Sequence, residues 1–143
     1  MADLKTTRAL LVVARALGRL GRERARAGDV TPQQAEALQL IAERGALSTS
    51  SLAIVLGIDP STASRNLAGL ERAGFIVRKK GAEDGRQTDV RLTPRGKRTA
   101  EAVTTEWTLA YTSLLDRIPR PERQRVADAL EMLARVLDGE SSA

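Results

Sequence analysis

Between positions 59 and 66 the chain reads Asp-Pro-Ser-Thr-Ala-Ser-Arg-Asn. Ser61, Thr62 and Ser64 offer short hydroxyls, Arg65 a guanidinium and Asn66 an amide, all close behind a strong helix start. Such groups read base edges: Arg can take guanine O6 and N7 together, and Asn can pair with adenine. The start of a helix adds its own attraction for phosphate. Further on, Lys79-Lys80 leads into a polar stretch holding Gly81, Asp84, Gly85 and Arg86. Each feature also has a plainer reading. Ser61 to Ser64 can be ordinary capping residues, Asp84 a turn residue, and Arg86 a solvated charge. Only their combination, and the elements that must hold them, points to nucleic acid.

The charge distribution concentrates on the same region. The chain of 143 residues carries 23 Lys and Arg against 18 Asp and Glu, a formal +5. From Arg65 to Arg98 there are ten basic and four acidic residues, a local +6, whereas from Glu101 onward five basic residues face eight acidic ones, a local −3. One segment is thus a cation patch, as nucleic-acid binding requires. Lys79, Lys80, Arg91, Arg95 and Lys97 are candidates for phosphate contact, though some of them must simply face water.

What is missing excludes several chemistries. There is no Cys and no His. Thiol redox sensing, Cys nucleophiles, His general bases and the usual Cys/His metal sites are therefore ruled out. Ser48 to Ser51 has no base nearby in sequence, and capping explains it. No catalytic residue, metal site or cofactor is expected. No run approaches the ~20 apolar residues of a membrane span, and the apolar stretch Leu10 to Ala14 reads better as part of a first helix than as a targeting segment. The cytoplasm is the expected location.

The elements follow from punctuation and period. Residues 4–27 read as a helix with Leu4, Leu11, Ala14, Leu17 and Leu20 near helical spacing. Thr31-Pro32-Gln33-Gln34 opens a second helix with a capping box and carries Ala35, Leu38 and Ile41 inward. Ser48 or Thr49 caps a short third helix, closed by Gly57. Asp59-Pro60 starts a fourth, with Ala63, Leu67 and Leu70 inward and an end at Gly74. The period then changes to two: Phe75 to Arg78 and Thr88 to Leu92 read as strands of a hairpin with a charged tip. Thr93-Pro94 caps a long helix with Val103, Trp107, Ala110 or Tyr111, Leu114 and Ile118 on one face. Pro119 breaks it, and Pro121-Glu122 starts a last helix with Val126, Leu130, Leu133 and Leu137 aligned. Aromatics are only 2% of the chain. A core of Leu, Val, Ile and Ala suits helix packing, and pairing of two chains would bury more apolar area. The fold expected is mainly α with a small β-hairpin wing, in one domain spanning residues 1–143.

Two short helices joined by a tight turn at Gly57-Ile58-Asp59, followed by a charged hairpin, make a winged helix-turn-helix. From about Thr31 to Gly96 the chain resembles the MarR family of transcription regulators. The residues that carry the resemblance are Leu52-Ala53, Ser61-Thr62-Ala63-Ser64-Arg65, and Leu70-Glu71-Arg72-Ala73-Gly74-Phe75-Ile76-Val77-Arg78. The wing Asp84-Gly85-Arg86 and the stretch Val90-Arg91-Leu92-Thr93-Pro94-Arg95-Gly96 complete it. The acidic-x-Arg wing followed by a strand ending Leu-Thr-x-x-Gly is its most specific part.

This resemblance implies a DNA-binding lobe over residues 31–98, with residues 1–30 and 99–143 forming a dimerisation region. It implies a homodimer on a palindromic site in double-stranded DNA, acting by default as a repressor. Arg86 would enter the minor groove beside the recognition helix, and Asp84 would brace the wing through an Arg such as Arg72 or Arg78. It also implies release by a small effector, often aromatic and anionic, bound between the two regions. Candidate groups for that are Arg15 and Arg19 on the first helix with Trp107 and Tyr111 on the fifth, although packing or solvent exposure is the preferred reading of these four. A winged-helix protein-interaction module without DNA binding is the alternative; the local +6 and the Asp84/Arg86 wing argue against it.

Overall fold

The computed structural model describes residues 1, 3–25, 29–80 and 88–141. The elements are α1 (Leu4–Ala25), α2 (Pro32–Arg44), β1 (Leu47–Ser48), α3 (Thr49–Leu56), α4 (Pro60–Arg72), β2 (Ile76–Lys80), β3 (Thr88–Leu92), α5 (Pro94–Asp116) and α6 (Arg120–Ser141). The expected order of helices and hairpin is present. Among the described residues, no helix is long and apolar enough to cross a membrane.

The helix starts are made by the residues that signal them. The Thr31 hydroxyl accepts from the Gln34 N–H at 3.2 Å, and the Thr31 N–H donates to Gln34 Oε1 at 3.1 Å, a reciprocal capping box. Ser48, Asp59 and Thr93 cap α3, α4 and α5 from extended backbone, each side chain accepting from the N–H three residues ahead. Each satisfies an N–H that has no partner within its helix. Gly57 closes α3 at φ 65°, a left-handed conformation that glycine adopts without the Cβ penalty. It lets the chain reverse within two residues before Asp59.

Some boundaries differ from expectation. Helix α4 ends at Arg72 rather than running to Gly74, because Ala73 is its C-cap and Gly74, at φ 81°, already belongs to the turn into β2. Helix α6 begins at Arg120, one residue before Pro121. The segment 26–28, read as the end of the first helix, lies outside the described residues. Strand β1 was not expected at all. Leu47 pairs with Val90 and Ser48 with Asp89, giving a three-stranded antiparallel sheet in the order β1-β3-β2. Two residues cannot display a period; only the approach of β3 makes them a strand. The extended backbone of Ser48, ψ 153°, serves both the ladder and the cap of α3.

The core lies where α2, α3, α4, the sheet and the first half of α5 meet. Leu38, Ile41, Leu52, Leu67, Leu70, Ile76, Val90 and Val103 are fully buried there. Ala63, Leu67 and Leu70 share one face of α4, which fixes the rotation of that helix and turns residues 61, 64 and 65 outward.

The long helices behave differently. Of α1 only Ala25 is buried, while Leu4, Leu10, Leu11, Val12 and Val13 are exposed. On α5 the expected stripe is buried at Val103 and Ala110, half-buried at Trp107 and Tyr111, and exposed at Leu114. Helix α6 has no buried residue and packs extensively against no other element. Its aligned Leu130, Leu133 and Leu137 are exposed, beside Met132 and Val136.

Candidate nucleic-acid interface and a neighbouring cavity

Helix α4 displays Ser61, Ser64 and Arg65 as exposed residues and Thr62 and Asn66 as half-buried ones. Their hydrogen bonds are specific. Ser61 Oγ donates to Asp59 Oδ1, Thr62 Oγ1 donates to Asp59 Oδ2 at 2.8 Å, and the Thr62 N–H donates to Asp59 Oδ1 at 3.0 Å. These donors, led by the Ser61 hydroxyl, hold the Asp59 carboxyl at about 2, below its ordinary 3.8. Arg65 Nη2 donates to Thr62 Oγ1 at 3.3 Å. The exposed start of α4 is therefore pre-ordered by its own cap. Asn66 Nδ2 donates to Gln33 Oε1 at 3.1 Å, so this amide ties α4 to α2.

The wing strand is anchored to the same helix. Arg78 on β2 makes a forked contact with Glu71 on α4, Nη2 to Oε1 at 3.2 Å and Nε to Oε2 at 3.4 Å. The Arg78 contact holds the Glu71 carboxyl below its ordinary range. Of Arg72 and Arg78, the two arginines named as partners for Asp84, Arg78 is the one engaged with Glu71. Lys79 and Lys80 continue β2 as exposed cations. Asp84 and Arg86 lie outside the described residues.

The Leu-Thr-x-x-Gly stretch has a mechanical role. Thr93 caps α5 by accepting from the Gly96 N–H at 3.0 Å, while its hydroxyl donates to Gly74 O at 2.6 Å and its own N–H to Phe75 O at 3.0 Å. Arg95 Nη1 donates to Ala73 O at 2.6 Å, and its guanidinium sits 4.8 Å from the centre of the Phe75 ring. A Cβ on the buried Gly96 would stand 1.9 Å from Phe75 O. Only glycine lets the start of α5 come this close to the turn between α4 and β2. The orientation of α4 is thereby coupled to that of α5.

A cavity of about 650 Å³ opens between α1, α2 and α5. Trp107 and Tyr111 line it, as does Arg22 from α1 and Glu36 from α2. The exposed Arg15 and Arg19 do not line it. Sequence reasoning missed Arg22 and Glu36. A signal existed in Gly18 and Gly21, two glycines inside a helix and on this wall.

Helix α3, the Gly57 turn, helix α4 and the β2–β3 hairpin define a winged helix-turn-helix protein. Residues 30–88 match the MarR family. The chain is 30% identical over 114 residues to the HTH-type transcriptional regulator FarR of Neisseria gonorrhoeae, covering 80% of this chain and 78% of that protein. Its fold is similar to that of a MarR-family regulator from Listeria monocytogenes complexed with a 26mer DNA (TM-score 0.77, 23% identity, 99% of this chain and 93% of that one). It is likewise similar to NadR in complex with 4-hydroxyphenylacetate (TM-score 0.74, 27% identity, 95% of each chain). The chain belongs to the MarR family of transcriptional regulators.

Proposed function

We propose that this protein is a repressor that binds a palindromic operator in double-stranded DNA as a homodimer and is released by a small effector. The observation that carries this is the outward face of α4. Ser61, Ser64 and Arg65 stand exposed on α4, as do Lys79 and Lys80 on β2, while Ala63, Leu67 and Leu70 lock the opposite face of α4 into the core. A helix held this way can enter a major groove with its side chains aimed at base edges. The Listeria relative of the same fold was solved with DNA, which supports the reading. Residues 31–98 form the DNA-binding lobe, with Ser61, Thr62, Ser64, Arg65 and Asn66 at the groove and Asp84 and Arg86 in the wing.

The homodimer reading rests on exposed apolar surface. Leu10 to Val13 of α1 and Leu130, Met132, Leu133, Val136 and Leu137 of α6 are unpartnered in one chain. Apolar area of this extent marks a protein interface. A two-fold pair places the two α4 helices in successive major grooves, with half-sites ~10 base pairs apart centre to centre. An effector in the cavity that prefers another spacing of the lobes weakens DNA binding by its differential affinity. NadR, whose structure holds 4-hydroxyphenylacetate, supports that part.

The test is fluorescence anisotropy on duplexes from the gene's upstream region, across salt concentrations. The protein is expected to bind one duplex tightly and lose affinity with salt. Arg65→Ala and Arg86→Ala should each weaken binding by about 1–3 kcal/mol. Binding no tighter than to random duplex, and unchanged in both variants, would instead indicate an interaction module.

A further inference from the structure

The cavity between α1, α2 and α5 combines an apolar lining with two charged side chains, Arg22 and Glu36. Gly18 and Gly21 lie in the interior of α1 and face it. Glycine inside a helix costs roughly 1 kcal/mol relative to Ala. The position of a Cβ on Gly18 is 3.2 Å from Arg22 Nη1, and that of a Cβ on Gly21 is 3.4 Å from the Tyr111 hydroxyl. The two glycines thus leave room for a guanidinium and a phenol on the cavity wall. Trp107 adds a fixed apolar surface, because its indole N–H is already used by Gly21 O at 3.0 Å.

Arg22 and Glu36 both border this cavity and both border an adjoining one of about 270 Å³. They therefore sit at the same end, where the two spaces meet. No ion pair or hydrogen bond joins them, and neither has another such partner among the described residues. Two exposed, opposite charges share one wall with no ion pair between them. The Tyr111 hydroxyl is also without a hydrogen bond among the described residues, and burial together with the negative charge of Glu36 raises its pKa.

We propose that this cavity binds a zwitterionic aromatic molecule of the aromatic α-amino-acid type, its carboxylate on Arg22, its ammonium on Glu36 and its ring against Trp107. The proposal rests on the effector-responsive reading above and names the effector's class. Each charge of such a ligand meets an opposite charge, and an Arg–carboxylate contact is among the stronger charge-assisted hydrogen bonds. Glu36 supplies the discrimination. A simple aromatic acid brings a second negative charge to this end and leaves Glu36 uncompensated. A simple aromatic amine leaves Arg22 in the same position.

Calorimetry with three molecules of one skeleton tests this: L-phenylalanine, 3-phenylpropionate, which lacks the ammonium, and 2-phenylethylamine, which lacks the carboxylate. L-Phenylalanine is expected to bind at least about tenfold more tightly than either, the equivalent of 1.4 kcal/mol. Glu36→Gln should erase its advantage over 3-phenylpropionate, and Arg22→Gln its advantage over 2-phenylethylamine, with circular dichroism showing both variants folded. Equal or tighter binding of 3-phenylpropionate overturns the proposal, as does the absence of saturable binding of L-phenylalanine up to about 10 mM. Calorimetry reads the cavity without DNA, and the salt titration reads the DNA interface without ligand, so failure of one is distinct from failure of the other.

Discussion

Replacing Gly96 by Ala should strike the joint between α5 and the recognition helix. The new Cβ would lie 1.9 Å from Phe75 O and 2.9 Å from the Phe75 carbonyl carbon. Both are main-chain atoms, so no side-chain rotation relieves the clash. Helix α5 must retreat from the turn by about 1 Å or more, since overpacked sites relax only through such backbone shifts. That retreat stretches the Thr93 hydroxyl contact to Gly74 O, the Thr93 N–H contact to Phe75 O and the Arg95 contact to Ala73 O. Each is worth about 1 kcal/mol net. The better helix propensity of Ala returns at most about 1 kcal/mol. The net loss is about 2–3 kcal/mol, or roughly 5–10 °C in Tm for a chain of this size. Thermal melts followed by circular dichroism measure it, with Gly139→Ala as the control. A Cβ on Gly139 meets nothing within 4 Å, so that variant should melt at or slightly above the parent. If Gly96→Ala melted within about 1 °C of the parent, the close approach of α5 to the turn would be wrong.

Three further outcomes follow from the geometry. Asp59 is held at about 2 in the fold against an ordinary 3.8, so its stabilisation is fully present above about pH 4 and fades as pH falls through 2. Carbon-detected NMR titration should show that midpoint, and in Asp59→Asn the part of the acid-induced loss of stability that comes from this group should vanish. Glu71→Gln should release Arg78 from its ion pair, tightening non-specific DNA binding and steepening its salt dependence by about one phosphate contact; an unchanged slope would show that Arg78 lies away from the phosphates. Leu133→Glu on α6, an exposed apolar position, should convert a dimer to a monomer in sedimentation at micromolar concentration. Persistence of the dimer would place the interface elsewhere.

The sequence by itself determined what short-range chemistry controls. Thr31, Ser48, Asp59 and Thr93 each bond to an N–H a few residues ahead, and such contacts need no tertiary information. The inward face of α4 was legible for the same reason, since Ala63, Leu67 and Leu70 follow a period set by the helix. The exposed hydroxyls and Arg65 followed from that face. The Leu-Thr-x-x-Gly stretch was visible as a pattern, but its meaning was not. Only the packed structure brings Gly96 against Phe75 O, twenty-one positions back. Strand β1 exists because β3 passes beside Leu47 and Ser48. The cavity depended on tertiary structure most of all. Arg15, Arg19 and Arg22 look equivalent along one helix, and only the packing of α1 against α2 and α5 decides that Arg22 shares a wall with Glu36. Local bonds are written in neighbouring residues, whereas long-range juxtaposition depends on the rotation and docking of whole helices, which many side chains settle together.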